Sequence, residues 1–421
     1  MPRTTDRGRR LRLVLIAGAL ACTAWGPHAM AQSPGNNPGQ AAEATKKPEA
    51  ADAAMEGVGA WPKVSFDTLG NVEYAGVNAR SGPDRGADVK LRFDSTLLVE
   101  FNDALSLDAL FQFKPRAPLD PNDPNHDLFI NQGPGREEGG KMKELYFRYG
   151  DYRVGKFVPD FGRAYAIFPG AQAADLIEEP EEGYEPADMI GFEKLHVYDN
   201  ENGGWSQITF SAFMVDRTFL HESFPFNEGM VHYKDGGVGN TRLPENLMVS
   251  WDVLNKPIGN WAHLTYQLSA IRWGRSYGAE RGEWWTTAGA DLAIPIHGLV
   301  EDTLRGHYTQ LHLFIEGARR DNFNGFAGRT RQYLSGAAEY LDGSWALDLT
   351  TTQRWTTDRV MPLQKDELYT VSLGYNFPTT TNVAFSVTHE KVGDREGMYA
   401  GLRITQSLTA CSKCLVKGKA Y

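Results

Sequence analysis

The chain is poor in cysteine: three in 421 residues, Cys22, Cys411 and Cys414. That excludes a disulfide-built scaffold. The C-x-x-C spacing of Cys411 and Cys414 stands alone, with no second ligand pair and no thioredoxin-like βαβ pattern, so a local disulfide or an idle pair fits it best. Long apolar runs are also missing. The only one runs from Leu13 to about Trp25. It follows Arg3, Arg7, Arg9, Arg10 and Arg12 and precedes Ala29-Met30-Ala31, the order of n-region, h-region and cleavage site in a secretory signal. Residues 1–31 are therefore expected to be a signal peptide. The run is short for a membrane anchor. Arg9-Arg10 is a weak twin-arginine hint, and Ala19-Leu20-Ala21-Cys22 is a poor lipobox.

No later segment holds about 20 apolar residues, so no transmembrane helix is expected. Positive charge is in deficit as well. Removing the signal takes away five Arg and one Asp and leaves 38 basic against 52 acidic residues, a net of −14. That argues against a nucleic-acid partner. Catalytic signatures are missing too. The ten histidines, among them His196, His263, His312 and His389, are scattered. There is no His-x-x-x-His pair, Gly-x-Ser-x-Gly elbow or P-loop. Asp120, Asp123 and Asp127 lack the Gly turn and distal Glu of a calcium loop. No enzyme activity, cofactor or metal is expected.

What the chain does have is glycine (44) and aromatics (10 Trp, 17 Tyr, 21 Phe), despite a negative mean hydropathy. A membrane β-barrel reconciles these facts, because lipid-facing apolar and lumen-facing polar residues alternate along each strand. Residues 89–102 show it most clearly. Val89, Leu91, Phe93, Leu97, Val99 and Phe101 share one face, and Lys90, Arg92, Asp94, Thr96, Glu100 and Asn102 the other. Period 2 over this length marks a strand, and the length suits a tilted membrane strand.

About sixteen such segments are expected: 63–76, 89–101, 105–114, 142–149, 152–158, 188–198, 205–215, 245–254, 261–273, 284–294, 309–319, 331–341, 344–355, 366–377, 382–392 and 397–408. Links between them alternate short and long, the pattern of periplasmic turns and external loops in an up-and-down barrel. The link 295–308 is too long for its place. Trp205, Trp261, Trp284, Trp285 and Trp345 stand at strand starts, and Trp273 and Trp355 at strand ends, as in an interfacial girdle. Residues 32–60, rich in Ala, Pro, Gly and Glu, read as a flexible leader. The barrel is expected over 61–408 and a tail over 409–421.

Gly155-Lys156-Phe157-Val158-Pro159-Asp160-Phe161-Gly162-Arg163 resembles the G-K-F-x-P-x-F-G motif of the phosphate-selective porin O/P superfamily. Asp188–Phe192 and Ser211–Asp216 through Phe219-Leu220 look similar to the same group. The resemblance implies a 16-stranded outer-membrane barrel, often trimeric, that passes small solutes by diffusion. The polar, lysine-bearing end Cys411–Tyr421 departs from the usual aromatic-terminated last strand.

Solute choice in such a channel comes from charge rings and pore width. The third long loop, 159–187, is expected to turn inward. It carries Asp160, Asp175, Glu178, Glu179, Glu181, Glu182 and Glu185 against the single basic Arg163. Strand parity places Lys90, Arg92, Arg148, Lys156, Arg331 and Arg354 on the lumen face, with Glu100. An acidic loop facing a basic wall gives a transverse field, so phosphate specificity does not follow from the resemblance. Two other readings stay open: a structural or adhesive barrel that transports nothing, and a secreted soluble β-protein that binds carbohydrate.

Overall fold

A computed structural model describes residues 62–79, 85–113, 140–164, 186–200, 203–222, 230–296, 309–358, 363–377, 381–393 and 395–411. The signal, the leader, the acidic run 178–185, the long link and Cys414 lie outside the described residues. Sixteen strands run in chain order: β1 (Lys63–Ala79), β2 (Arg85–Glu100), β3 (Leu105–Phe113), β4 (Gly140–Tyr149), β5 (Tyr152–Phe157), β6 (Met189–Asp199), β7 (Trp205–Val215) and β8 (Asn246–Ile258), then β9 (Ala262–Arg272), β10 (Trp284–Pro295), β11 (Thr309–Asp321), β12 (Thr330–Asp342), β13 (Trp345–Thr357), β14 (Gln364–Asn376), β15 (Thr381–Val392) and β16 (Arg395–Cys411). Each pairs antiparallel with its neighbours, and β16 pairs with β1 to close the barrel. A two-sheet sandwich is thereby excluded. Among the described residues no helix is long and apolar enough to cross a membrane.

Alternation decides what each face carries. On β8, Leu247, Val249 and Trp251 are exposed outward, while Asn246, Met248, Ser250 and Asp252 are buried inward. The same division runs around the wall. Leu313, Ile315, Leu334, Leu349, Val371, Phe385 and Leu402 lie on the outer surface, and Ser335, Thr352, Thr370, Ser386 and Thr388 lie inside. A water-soluble fold buries its apolar side chains. This one exposes them in a continuous belt, as a barrel surrounded by hydrocarbon must.

Strand ends differ most from expectation at three places. β8 continues to Ile258 through a bulge between Val253 and Lys256, where Asn255 takes a left-handed conformation (φ 51°). A bulge interrupts period 2, so the alternation stops early in the sequence while the ladder does not. β16 runs on to Cys411, pairing it with Ser65, three residues beyond the expected limit. The link between β1 and β2 shrinks to residues 80–84, because both strands extend further than their clean alternation.

The girdle reading holds for part of the tryptophans. Trp261, Trp284 and Trp345 are about half exposed on the outside, and Trp345 packs edge-on with Tyr375, which meets Phe377. Trp273 and Trp285 are corrections. They point inward and are almost fully buried. Adjacent Trp284 and Trp285 necessarily face opposite sides of a strand.

Candidate functional site: the lumen and its inward segment

The inward chemistry starts where β5 stops. Pro159 has no N–H to donate to a ladder, and Gly162 takes φ 80°, a conformation L side chains resist. Residues 158–164 turn off the wall and pack against the inside of the barrel, with Phe161 and Ala164 fully buried. The ring of Phe161 lies 6.0 Å from that of Trp285, which meets Trp273 at 4.7 Å, which in turn meets Phe213 at 5.4 Å. Met189, Met248, Ile271 and Phe314 complete this apolar bed.

Polar contacts pin the same segment. The Asp160 carboxylate accepts from Gln207 Nε2 at 3.3 Å and Gln267 Nε2 at 3.2 Å, reaching β7 and β9. The Arg163 guanidinium donates to Asp252 Oδ1 on β8 at 2.8 Å. The Arg163 amide donates to Glu316 Oε2 on β11 at 2.6 Å, and the Ala164 amide to Glu316 Oε1 at 3.3 Å. Arg163 is thus an anchor, nearly fully buried, rather than a free charge in the passage.

A group of arginines lies beside this bed at the long-loop end, with Arg320 stacked 4.1 Å over the Trp285 ring. Arg331 on β12 lies directly opposite Arg320 on β11. Arg354 on β13 is opposite Tyr333, the next inward position of β12. Arg320 pairs with Glu283 at 3.2 Å, Arg354 with Asp366 at 2.9 Å and Arg329 with Asp358 at 3.4 Å. Arg331 donates to Thr356 Oγ1 and lies 3.8 Å from the centre of the Phe323 ring, and no carboxylate among the described residues pairs with it. Arg148 sits lower on β4, 3.9 Å from Asp108. Glu100 closes β2 at the short-turn end, opposite Lys63 and Ser106. Lys90 and Arg92 lie on β2 opposite Glu73 and Asn71, and their side chains lie outside the described residues.

Lys156 is a correction. It shares the outward face of β5 with Tyr152 and Val154, opposite Ile190 on β6. It is nonetheless fully buried. Its ammonium bonds to Asp188 and Asp216, each at 3.1 Å, and to the Leu220 carbonyl at 2.9 Å. Residues 216–221, with a 3-10 turn at Phe219–His221, therefore fold over the outer rim, and Lys141 joins the cluster through Asp188 at 2.7 Å. Burial alone raises the Asp188 carboxyl, but the ammonium groups of Lys141, Lys143 and Lys156 outweigh it and hold it well below the usual carboxylate range.

Sequence reasoning had not marked Asp252, Glu316, Arg320 or Glu283 for the site. For Asp252 and Glu316 the one signal is a charged residue at an inward position in mid-strand, whereas Arg320 and Glu283 stand at or just beyond strand ends and carry no such mark. The pairing of Arg163 with Asp252 spans 89 residues and its amide contact with Glu316 spans 153.

A closed wall of sixteen strands, apolar outside and polar inside, with a loop segment folded into the lumen, is a transmembrane β-barrel of the porin type. No protein-family model matches the chain, and neither does any curated protein. Among solved structures, the fold is similar to that of OprB from Pseudomonas putida at high pH, with 12% identity over 82% of this chain and 94% of that one, and a TM-score of 0.57. An anion-selective porin from Comamonas acidovorans aligns over 83% of this chain and 100% of its own, at 11% identity and a TM-score of 0.48. OmpF of Salmonella typhi, solved with daunomycin, aligns over 82% and 97%, at 12% identity and a TM-score of 0.48.

Proposed function

We propose that the chain is an outer-membrane porin, a water-filled diffusion channel for small polar or charged solutes. The observation that carries this reading is the inner surface: hydroxyl and charged side chains line a closed barrel whose outside is apolar. A structural or adhesive barrel has no need of a polar lumen partly occupied by an inward segment. Membrane lipid is then the partner of the outer belt, and a homotrimer is the assembly the motif resemblance implies.

Selectivity follows from opposed charge. Arg331, with Arg320 and Arg354 beside it, makes the wall basic, and it is the member without a paired carboxylate among the described residues. The segment 158–164 launches the loop that carries Glu178, Glu179, Glu181 and Glu182. If these carboxylates face that wall, the field across the passage orients dipolar solutes and favours cations on the loop side. The phosphate preference of the O/P group is not part of this reading, because the loop charge is acidic.

Planar-bilayer recording tests both levels. Folded protein, checked by heat-modifiable migration, should give discrete conductance steps. Folded protein that never conducts would leave the structural reading in its place. Neutralising Glu178, Glu179, Glu181 and Glu182 together should shift the reversal potential toward anions at low salt, and the shift should fade as salt shortens the Debye length. An unchanged reversal potential would place the acidic run outside the passage.

A further inference from the structure

We propose that Glu316 is the positioning residue of the inward segment, and that through it β11 sets the width of the passage. The proposal rests on the channel reading above. Glu316 is 1% exposed, and its two carboxylate oxygens accept from two consecutive backbone amides, Oε2 from Arg163 and Oε1 from Ala164. Hydrogen bonds from N–H groups to a carboxylate are shorter and about twice as strong as neutral ones. The contact is to backbone, so it fixes where the chain runs and not merely where one side chain rests.

Three further observations concentrate the control on this residue. Gly162 at φ 80° brings the next two amides round to one acceptor. The Arg163 side chain meanwhile reaches Asp252 on β8, so one residue bridges β8 and β11, three strands apart along the wall. The wall also makes room for the carboxylate. A Cβ on Gly289 of β10 would come within 2.8 Å of Glu316 Oε2 and 3.3 Å of its Cγ. Any larger residue at 289 must displace the group that holds the segment.

The test uses the full chain in bilayers and three variants, Glu316→Ala, Glu316→Gln and Gly289→Ala. Hydrogen exchange of a peptide covering residues 158–164 reads the contact itself. Glu316→Ala should exchange roughly 10- to 100-fold faster there than wild type, as expected for losing a charged hydrogen bond. Glu316→Gln, which keeps one acceptor oxygen, should fall between. Single-channel recording reads the consequence: Glu316→Ala and Gly289→Ala should change conductance by about twofold or more and raise open-channel noise, with a shifted size cut-off for neutral polymers. Unchanged exchange, or faster exchange with wild-type conductance and cut-off, overturns the proposal. Where Glu316→Ala fails to fold, Gly289→Ala and Glu316→Gln decide it by the same readouts. A wild type that does not conduct would instead defeat the channel reading, while the exchange measurement still judges the contact.

Discussion

The inner wall has two flanks with different chemistry. From β4 to β11 its inward positions include Tyr146, Met189, Phe213, Met248, Ile271, Trp285 and Phe314, interleaved with Glu193, Asp252 and Glu316. From β12 to β16 hydroxyls are frequent at inward positions, among them Ser335, Thr350, Thr352, Thr370, Ser372, Ser386, Thr388 and Thr405, beside the charged Asp348, Arg354 and Asp366 and the apolar Tyr333 and Leu368. On the second flank the hydroxyls pair across strands, Ser335 with Thr352 at 3.1 Å and Thr370 with Thr388 at 2.9 Å, and Ser372 donates to Asp348 at 2.8 Å. The first flank is a bed on which residues 158–164 lie. The second is rich in hydroxyls that satisfy one another across strands and are as little exposed as the bed itself. One barrel thus presents two kinds of inner face, an apolar bed under the inward segment and a hydrogen-bonded hydroxyl flank beside it.

The comparison is most exposed to failure in the bed. Trp285→Ala removes the ring against Phe161 and Trp273 and should cost about 3–5 kcal/mol, as large aromatic truncations in cores do. Chemical unfolding from lipid bilayers measures it. A loss no greater than that of a hydroxyl deletion on the other flank would mean that the aromatic cluster is not a core.

The outer belt comes next. Leu349 faces out in the middle of β13 and Thr350 faces in. Leu349→Arg should lower stability by about 2–4 kcal/mol, whereas Thr350→Arg should be better tolerated and alter conductance instead. Equal losses would refute the assignment of faces.

Hydroxyl pairs should give the smallest effect. Thr370→Val leaves the shape nearly intact and removes one side-chain hydrogen bond, so about 0.5–1.5 kcal/mol is expected. A loss comparable to that of Trp285→Ala would show the second flank to be packed like the first.

The same contrast explains what the sequence discloses. On the hydroxyl flank polar and apolar residues alternate in runs such as 347–350, 369–373 and 385–388, and strand limits there fall within a few residues of expectation, as at 330–342 and 345–357. The segment 205–215 is also recovered at both ends. Along the bed, inward residues are themselves apolar, so period 2 blurs and the faces are not readable from polarity. That is why Trp273 and Trp285 pass for girdle residues. Lys156 fails for another reason. β5 has six residues, and the burial of its lysine comes from residues 216–221, which fold over it from 60 positions downstream. The inward turn at Pro159 was legible in the G-K-F-x-P motif. Its docking on Asp252 and Glu316 was not, because nothing local marks which strands will stand opposite.

The closing seam also bears on how the barrel is made. Fifteen residue pairs join β1 to β16, from Ser65 with Cys411 to Ala79 with Gly397. Residues more than three hundred positions apart must meet before either strand has both its neighbours. Such non-local pairing is slow, because the entropy of bringing distant chain segments together is lost before the contacts form. Until then β1 presents an unpaired edge, the feature that invites association with other chains. The strand made first therefore depends on the strand made last, and a chain halted anywhere before β16 has no shorter closed form in this register.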